Sequence, residues 1–315
     1  MEDTIAQTLG VDISKDALDA YLHPQGIAQR FPNNIKGFKA LLAWLADANP
    51  ARIVFEPTGA YHHDFERHLT KVGLPLVKIN PRQARRFAEA IGVHAKTDAV
   101  DAAMLARFGA MLEPPVRAAV SSILDDMKEL HVARLALVKD RVAARNRAHT
   151  RRSALLKRQA GERLRQVERQ IAAIDEALMA CLQSDAALKA RFDILLSIPG
   201  LGETTAMAIL IDMPELGHIE HKCVASLAGL APIARDSGQL SGKRMIRGGR
   251  AQLRQSLYMP ALVAVRFNAD LKDKYRALIT AGKPAKVALT AIMRKLLILA
   301  NALLRDGRMW TPNLA

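Results

Sequence analysis

Apolar positions crowd residues 4–13 and end on Asp12-Ile13, the pattern of a strand buried along most of its length with an acid at its end. Shorter runs over residues 17–23 and 26–31 add two more strands. The period then becomes helical over residues 35–47, and strand, helix, strand and helix succeed one another at 53–55, from about 61, at 74–79 and from Pro81. A further helix opens at Asp98, which is placed to cap it. A three-strand meander followed by alternating helices and strands suits a mixed sheet with helices on its faces, an α/β region.

Pro114-Pro115 closes this stretch, because neither residue continues a helix easily. Residues 122–188 hold no proline and one glycine, Gly161, which stands between two helical patterns. Leu164, Val167, Ile171, Ile174, Leu178 and Cys181 recur at spacings of three and four, a heptad seam, so a long antiparallel helical hairpin is expected. From about residue 190 the chain reads as mainly helical, with apolar-rich helices over 253–264 and 284–305. The chain therefore divides into residues 1–113, a sheet domain; 114–189, a coiled-coil arm; and 190–315, a helical C-terminal domain.

Composition narrows the partners. A formal net charge of +15 calls for a polyanion, and 50% hydrophobic residues is enough for packed cores rather than a disordered basic tail. An anionic membrane surface would want a basic amphipathic helix with bulky apolar anchors; with no N-terminal signal and no long charge-free apolar segment, the expectation is a soluble cytoplasmic protein without a membrane partner. Cys181 and Cys223 are too far apart in sequence to suggest a disulfide framework or a CxxC zinc site, and His218, His221 and Cys223 lack a fourth ligand. Aromatic residues at 4% argue against base stacking as the main grip. The first arm of the hairpin is basic, with Arg141, Arg145, Arg147, Arg151, Arg152, Lys157 and Arg158 against Asp140; such a face is either solvated or laid along a nucleic-acid backbone.

Two constellations carry candidate chemistry. Asp12 and Glu56 close apolar strands, where a carboxylate needs a partner or a metal. Asp98 and Asp101, three apart, share one face of a helix start; by themselves they also serve as cap and dipole partner. Four converging carboxylates suit Mg²⁺ or Mn²⁺, hard ions that in pairs stabilise the attacking and leaving oxygens of a phosphoryl transfer. The second constellation lies within Ala231–Tyr258, where Ser237-Gly238, Ser241-Gly242 and Gly248-Gly249 stand among six Arg and Lys residues. Glycines let backbone amides approach phosphate, Arg donates in pairs, and a serine set there faces a polarised electrophile. The same loop also suits phosphate binding without chemistry. Lys243, Arg244, Arg247, Arg250 and Arg254 are its candidate phosphate contacts, with Arg145, Arg151 and Arg152 those of the arm. The turn Ser197-Ile198-Pro199-Gly200-Leu201-Gly202 reads either as the phosphate-facing hairpin of a helix-hairpin-helix module or as an ordinary packing turn.

These motifs resemble a known family. G-V-D-I-S-K-D around Asp12, F-E-P-T-G-A-Y around Glu56 and H-A-K-T-D-A-V-D-A-A-M-L-A-R-F around Asp98 and Asp101 resemble the DEDD tetrad of the RuvC-like transposases of bacterial insertion-sequence family one-hundred-and-ten. S-I-P-G-L-G-E-T-T-A, G-L-A-P, D-S-G and G-K-R-M-I-R-G-G-R-A-Q-L-R-Q-S-L-Y-M follow in that family's order. The resemblance spans nearly the whole chain. It implies a ribonuclease-H-like N-terminal fold, which the element order also favours, and a serine-dependent DNA recombinase. In that reading Ser237, which matches the serine of the D-S-G element where Ser241 does not, attacks DNA with divalent-metal help at Asp12, Glu56, Asp98 and Asp101. It further implies double-stranded donor and target DNA, a structured guide RNA encoded by the element, and homodimers that assemble into a synaptic tetramer, with the carboxylates of one chain meeting the serine of another. A DNA invertase of the same architecture is the alternative within this class; a metal-dependent junction nuclease without a covalent intermediate, or an inactive binding relic, are the alternatives outside it.

Overall fold

The computed structural model describes residues 6–57, 59, 61–93, 98–116, 121–234, 236–238, 240–242 and 244–312, and of residues 98, 99, 122, 240 and 241 the backbone only. The chain forms two compact units, Met1–Ser122 and Ile123–Ala315.

The first unit is built on a five-stranded mixed sheet. Strands β1 (Thr8–Ile13), β2 (Ala17–His23) and β3 (Ile27–Pro32) form the antiparallel meander, and β4 (Arg52–Phe55) and β5 (Leu76–Lys78) join β1 in parallel, giving the order β3-β2-β1-β4-β5. Four helices complete it: α1 (Ile35–Trp44), α2 (His63–Lys71), α3 (Pro81–Ala90) and α4 (Asp98–Leu112). Central β1 is buried on both faces, β2 alternates, and edge strand β3 is exposed except at Phe31. Leu9, Val11, Ile13, Ile53 and Phe55 pack on Phe38 and Leu41 of α1 and Phe65 and Leu69 of α2. Val54 and Val77, on the opposite face, pack on Ala84 of α3 and Met104, Leu105 and Phe108 of α4. The result is a helix–sheet–helix sandwich of the expected α/β kind. The local signals behave as their chemistry requires: Asn34 and Asn80 cap α1 and α3 by accepting from Gly37 N and Arg82 N, and Pro81 takes the first turn, where no amide is missed.

The second unit is mostly helical. Helices α5 (Ser122–His149) and α6 (Ala154–Gln183) form the antiparallel hairpin, sealed by Val167, Ile171 and Leu178 and tied across by Arg134–Asp175 at 2.5 Å and Arg145–Glu168 at 2.8 Å. The turn falls at residues 150–153, where Ser153 occupies the N-cap position, and Gly161 lies inside α6 rather than between the helices. A Cβ at Gly161 would meet only the guanidinium end of Arg165, so nothing in the packing requires glycine there. Then come α7 (Ala186–Leu196), α8 (Glu203–Asp212) and α9 (His221–Leu227). Four two-residue strands follow: β6 (Pro232–Ile233), β7 (Asp236–Ser237), β8 (Leu240–Ser241) and β9 (Met245–Ile246). Helices α10 (Ala251–Ser256), α11 (Tyr258–Phe267), α12 (Ala269–Thr280) and α13 (Ala285–Asp306) end the chain. Met127 of α5 and Leu178 and Leu182 of α6 share one core with α7, α8, α11 and α13, so the base of the arm is continuous with the C-terminal helices. By length and hydropathy α13 would suffice to cross a membrane, although Arg294 and Lys295 interrupt it, so it is not the long charge-free segment whose absence was expected. Yet it is the central core helix of this unit, with Ile292, Leu296, Leu297 and Ala300 fully buried. Its buried Asn301 is satisfied on both sides, accepting from Gly217 N at 2.7 Å and donating to Ile219 O at 3.1 Å.

Candidate active site: carboxylates on the sheet and a serine hairpin

The carboxylates are placed by the crossing of α4 over β1. A Cβ at Gly10 would come within 2.0 Å of Ala102 O and 2.4 Å of Ala106 N, so only glycine lets helix and strand meet at this distance. Gly109 repeats the device farther along, where a Cβ would meet Val54 Cγ2 at 2.5 Å and Thr8 Cγ2 at 2.6 Å. These contacts fix the direction of the helix: Gly109 lies over Thr8, Ala102 and Ala106 over Gly10, and the N-terminal turn of α4 therefore points toward the Asp12 end of β1. Val11 pairs with Phe55 in parallel register, and continuing that register by one residue sets Glu56 beside Asp12. Asp12 alternates onto the same face as Gly10, under α4. Asp12, Glu56 and Asp101 are thus brought to one end of one face of the sheet, each half-buried. Asp98 is the first residue of α4, one turn before Asp101, and its side chain is outside the described residues.

A different polar cluster occupies the opposite face. His62, His63 and Glu66, at the start of α2, place their ligand-type atoms within 4.8 Å of one another, the one such metal-sized group among the described residues. Glu66 is ion-paired with the Lys78 ammonium and stands 3.6 Å from His62 Nε2, while Lys78 lies 5.9 Å from the Phe55 ring. An ammonium already holds the carboxylate there and would repel a cation. Burial, then Lys78, then His63 bring His62 down to a pKa of about 4, so the imidazole is neutral near pH 7. No motif in the sequence pointed to this network; its signal is the His62 to Glu66 spacing of four on one helix face.

The serine is carried in the opposite manner. Ser237 is exposed on β7, which pairs antiparallel with β8 in the register Asp236↔Ser241 and Ser237↔Leu240, and Gly238 turns the chain with φ +57°. Asp236, the acid of D-S-G, accepts from Gly242 N at 3.2 Å and lies 3.8 Å from Arg244, so it ties the hairpin together across its two strands. Of the predicted basic contacts, Arg244 and Arg247 are exposed, and Lys243 lies outside the described residues. Arg250 and Arg254 are turned inward. Arg250 pairs with Glu215 at 2.5 Å, and Arg254 donates to Gly248 O at 2.8 Å and Gly229 O at 3.3 Å. The last two carbonyls belong to the G-L-A-P and G-G-R segments, which meet so closely that a Cβ at Gly249 would come within 2.2 Å of Gly229 N. Arg254 therefore clamps the base of the basic loop, and an isolated glycine pair in sequence was the only hint of that approach.

The Ser197–Gly202 turn is packed on one side. Gly200, at φ +104°, lies so close to α11 that a Cβ would be 2.8 Å from Pro260 O, and Ser197 Oγ accepts from Trp310 N at 2.8 Å. Glu203 in the first turn of α8 further disfavours an anion at that helix start. One side of the turn thus packs on the C-terminal helices, while Gly202 and the first turn of α8 are exposed. Of the arm residues, Arg145 pairs with Glu168, Arg152 is exposed and Arg151 is half-buried.

Comparison with known proteins bears on both constellations. A DEDD-type family described as Transposase matches residues 9–157, and the family described as Transposase IS116/IS110/IS902 family matches residues 192–276. The chain belongs to the IS116/IS110/IS902 family of transposases. It is similar to the pilin gene-inverting proteins of Moraxella lacunata and Moraxella bovis, each 29% identical over 95% of this chain and 96% of theirs. A 42 kDa protein of insertion element IS900 from Mycobacterium paratuberculosis is 35% identical over 41% of this chain and 35% of its own. This transposase is thus an enzyme of DNA recombination that binds DNA as substrate, and its DEDD domain implies use of divalent metal. The donor set fits such an ion: Asp12, Glu56 and Asp101 offer carboxylate oxygens, the ligands hard divalent cations take.

Proposed function

We propose that this transposase cuts and rejoins DNA through a covalent phosphoserine at Ser237, with Asp12, Glu56, Asp98 and Asp101 holding Mg²⁺ or Mn²⁺. The observation that carries the reading is the convergence of three carboxylates at one end of the α4-covered face, in a chain that also holds an exposed serine in a basic hairpin. When bound, the divalent ion offsets negative charge that develops on phosphate oxygens during displacement. The residues of the chain divide the remaining work. Asp12 lies in β1 and Glu56 directly follows β4, so the sheet fixes the backbone from which both carboxylates reach the ion. Ser237 Oγ forms a bond to phosphorus as one deoxyribose oxygen leaves; the net change moves one proton from the hydroxyl to the leaving sugar oxygen and exchanges one ester bond for another, which conserves the energy needed to rejoin. Arg244 and Arg247 face solvent beside the serine and bind backbone phosphates, with Lys243 in the same role, while Arg254 and Arg250 hold the loop in place.

The proposal extends to assembly and partners. The fold of the first unit is RuvC-like, the helical arm dimerises the chain, and two dimers form a synaptic tetramer on donor and target DNA. A structured guide RNA supplies sequence choice through base pairing while the protein reads backbone and shape. The enzyme works in the cytoplasm, at the nucleoid. The pilin gene-inverting relatives favour a second reading, inversion of a DNA segment by the same chemistry.

The test is a suicide DNA substrate resolved on denaturing gels. Wild type is expected to leave protein attached to DNA; Ser237→Ala eliminates the adduct, Ser241→Ala retains it, and Asp12→Asn abolishes cleavage while DNA affinity stays close to wild type. Cleavage at the normal rate by Ser237→Ala, with no adduct in wild type, would establish a hydrolytic nuclease instead.

A further inference from the structure

The tip of the helical hairpin holds a cavity of about 160 Å³ whose charged lining is all cationic. Arg147 enters from the last turn of α5, Arg151 from the connecting turn, and Arg163 and Gln159 from α6; the small side chains of Ala144 and Ala160 leave the space open, and Leu156 completes the wall. Residues 141–169 carry ten Arg and Lys against two Glu, an excess of eight. Both glutamates are engaged elsewhere, Glu168 with Arg145 at 2.8 Å and Glu162 with Arg158 at 4.0 Å. Among the described residues no carboxylate pairs with Arg147, Arg151 or Arg163. Three guanidiniums drawn around one cavity repel one another, and a bound anion offsets that repulsion.

The helix ends add to the same field. Ser153 makes no side-chain cap bond and the first turn of α6 has no acid, so the amide end of that helix is left to external acceptors. The opposing carbonyl end of α5 is blunted, because Arg147 O accepts from both Thr150 N and Thr150 Oγ. Arg152 and Lys157, exposed beside the cavity, continue the positive charge beyond it, which suits a strand that runs on rather than a lone anion.

We propose that the hairpin tip is a built phosphodiester site, in which Arg147, Arg151 and Arg163 clamp one backbone phosphate of a nucleic-acid strand and Gln159 adds an amide donor. It deepens the reading of the chain as a nucleic-acid recombinase and rests on it. The chemistry is shared by DNA and RNA, and binding assays with each separate the two.

The test compares full-length wild type with three double variants: Arg147→Ala/Arg163→Ala, Arg147→Lys/Arg163→Lys, and the control Arg152→Ala/Lys157→Ala, which removes equal charge outside the cavity. Affinity for a short DNA duplex and for an RNA of equal length is measured over a range of salt, with circular dichroism to confirm helix content. The cavity alanine pair is expected to weaken binding about tenfold and to lower the salt slope by about two. The lysine pair keeps the slope and still loses affinity severalfold, because an ammonium cannot reproduce the paired donors of a guanidinium. The control pair lowers the slope but weakens binding less than the cavity pair. Loss confined to DNA assigns the site to DNA, and loss confined to RNA assigns it to RNA. Equal losses in cavity and control pairs, or full affinity in the lysine pair, would overturn the built site and leave only diffuse charge. These readouts are independent of serine chemistry: a wild type without a covalent adduct removes the recombinase reading but not the binding comparison, whereas an adduct with all variants binding equally removes the cavity alone.

Discussion

The two candidate reactive elements are held by opposite means. Asp12 and Glu56 stand at the ends of neighbouring strands in a sheet covered on both faces, beneath a helix locked down by two glycines. Ser237 stands exposed on a strand of two residues, where a Cβ at the adjacent Gly238 would meet nothing within 4 Å. In the proposed chemistry the contrast follows from what each would meet. A divalent ion is small and its oxygen shell recurs with the same dimensions at every turnover, so its ligands gain from being fixed beforehand. A nucleophile that attacks a large polymer can sit on a loop, because the polymer contributes the missing surface.

The comparison breaks most visibly at the glycines. Gly10→Val is expected to cost about 3–5 kcal/mol, since the new side chain has no room against the α4 backbone. Gly238→Ala costs about 1 kcal/mol, the penalty of a left-handed backbone in open space. Guanidinium melts of both variants check this, and a wild-type melt for Gly10→Val would show that α4 is not seated as described.

A second, smaller effect belongs to the sheet unit alone. His62 is held neutral down to about pH 4 in the folded chain but titrates near 6.5 when unfolded. Between those values the unfolded chain binds the extra proton, so stability rises with pH across that window and is lost as pH falls through it. The full effect is roughly 3 kcal/mol at the acid end. Thermal melts from pH 7 to pH 4 are expected to show the decline, and His62→Gln to flatten it; an unchanged slope in the variant would remove His62 as its cause.

The smallest effect separates support from contact within the serine loop. Arg254→Met removes two bonds to loop carbonyls and is expected to cost about 1–2 kcal/mol and to slow adduct formation, with little change in the salt dependence of DNA binding. Arg247→Ala should do the reverse, lowering the salt slope by about one with stability unchanged. Identical behaviour of the two would erase the distinction between an inward and an outward arginine.

The local patterns reached far. Alternation and helical period, which depend only on near neighbours, laid out the meander, the α/β succession and the heptad seam. The order of acids and of the D-S-G and G-G-R segments carried the family. Each strand, helical period or motif among these signals can be read from near neighbours in the chain. Reading the lone Gly161 as the break between helices still misplaced the hairpin turn by about ten residues, because that glycine lies inside α6 and is not needed for the bend.

What only the tertiary structure decided involves partners distant in sequence. Nothing near Gly10 announces Ala102, yet that contact aims the Asp101 end of α4 at Asp12. Nothing near Arg254 announces Gly229, and a residue that reads as a phosphate contact becomes a loop clamp once that carbonyl is within 3.3 Å. Apolar α13 carries the composition of a membrane span and is a core helix because four other helices of its unit cover it. The charge of the arm is a property of the sequence, but the cavity that gathers Arg147 and Arg163 exists only because α5 and α6 fold back on each other, bringing side chains sixteen positions apart around one space.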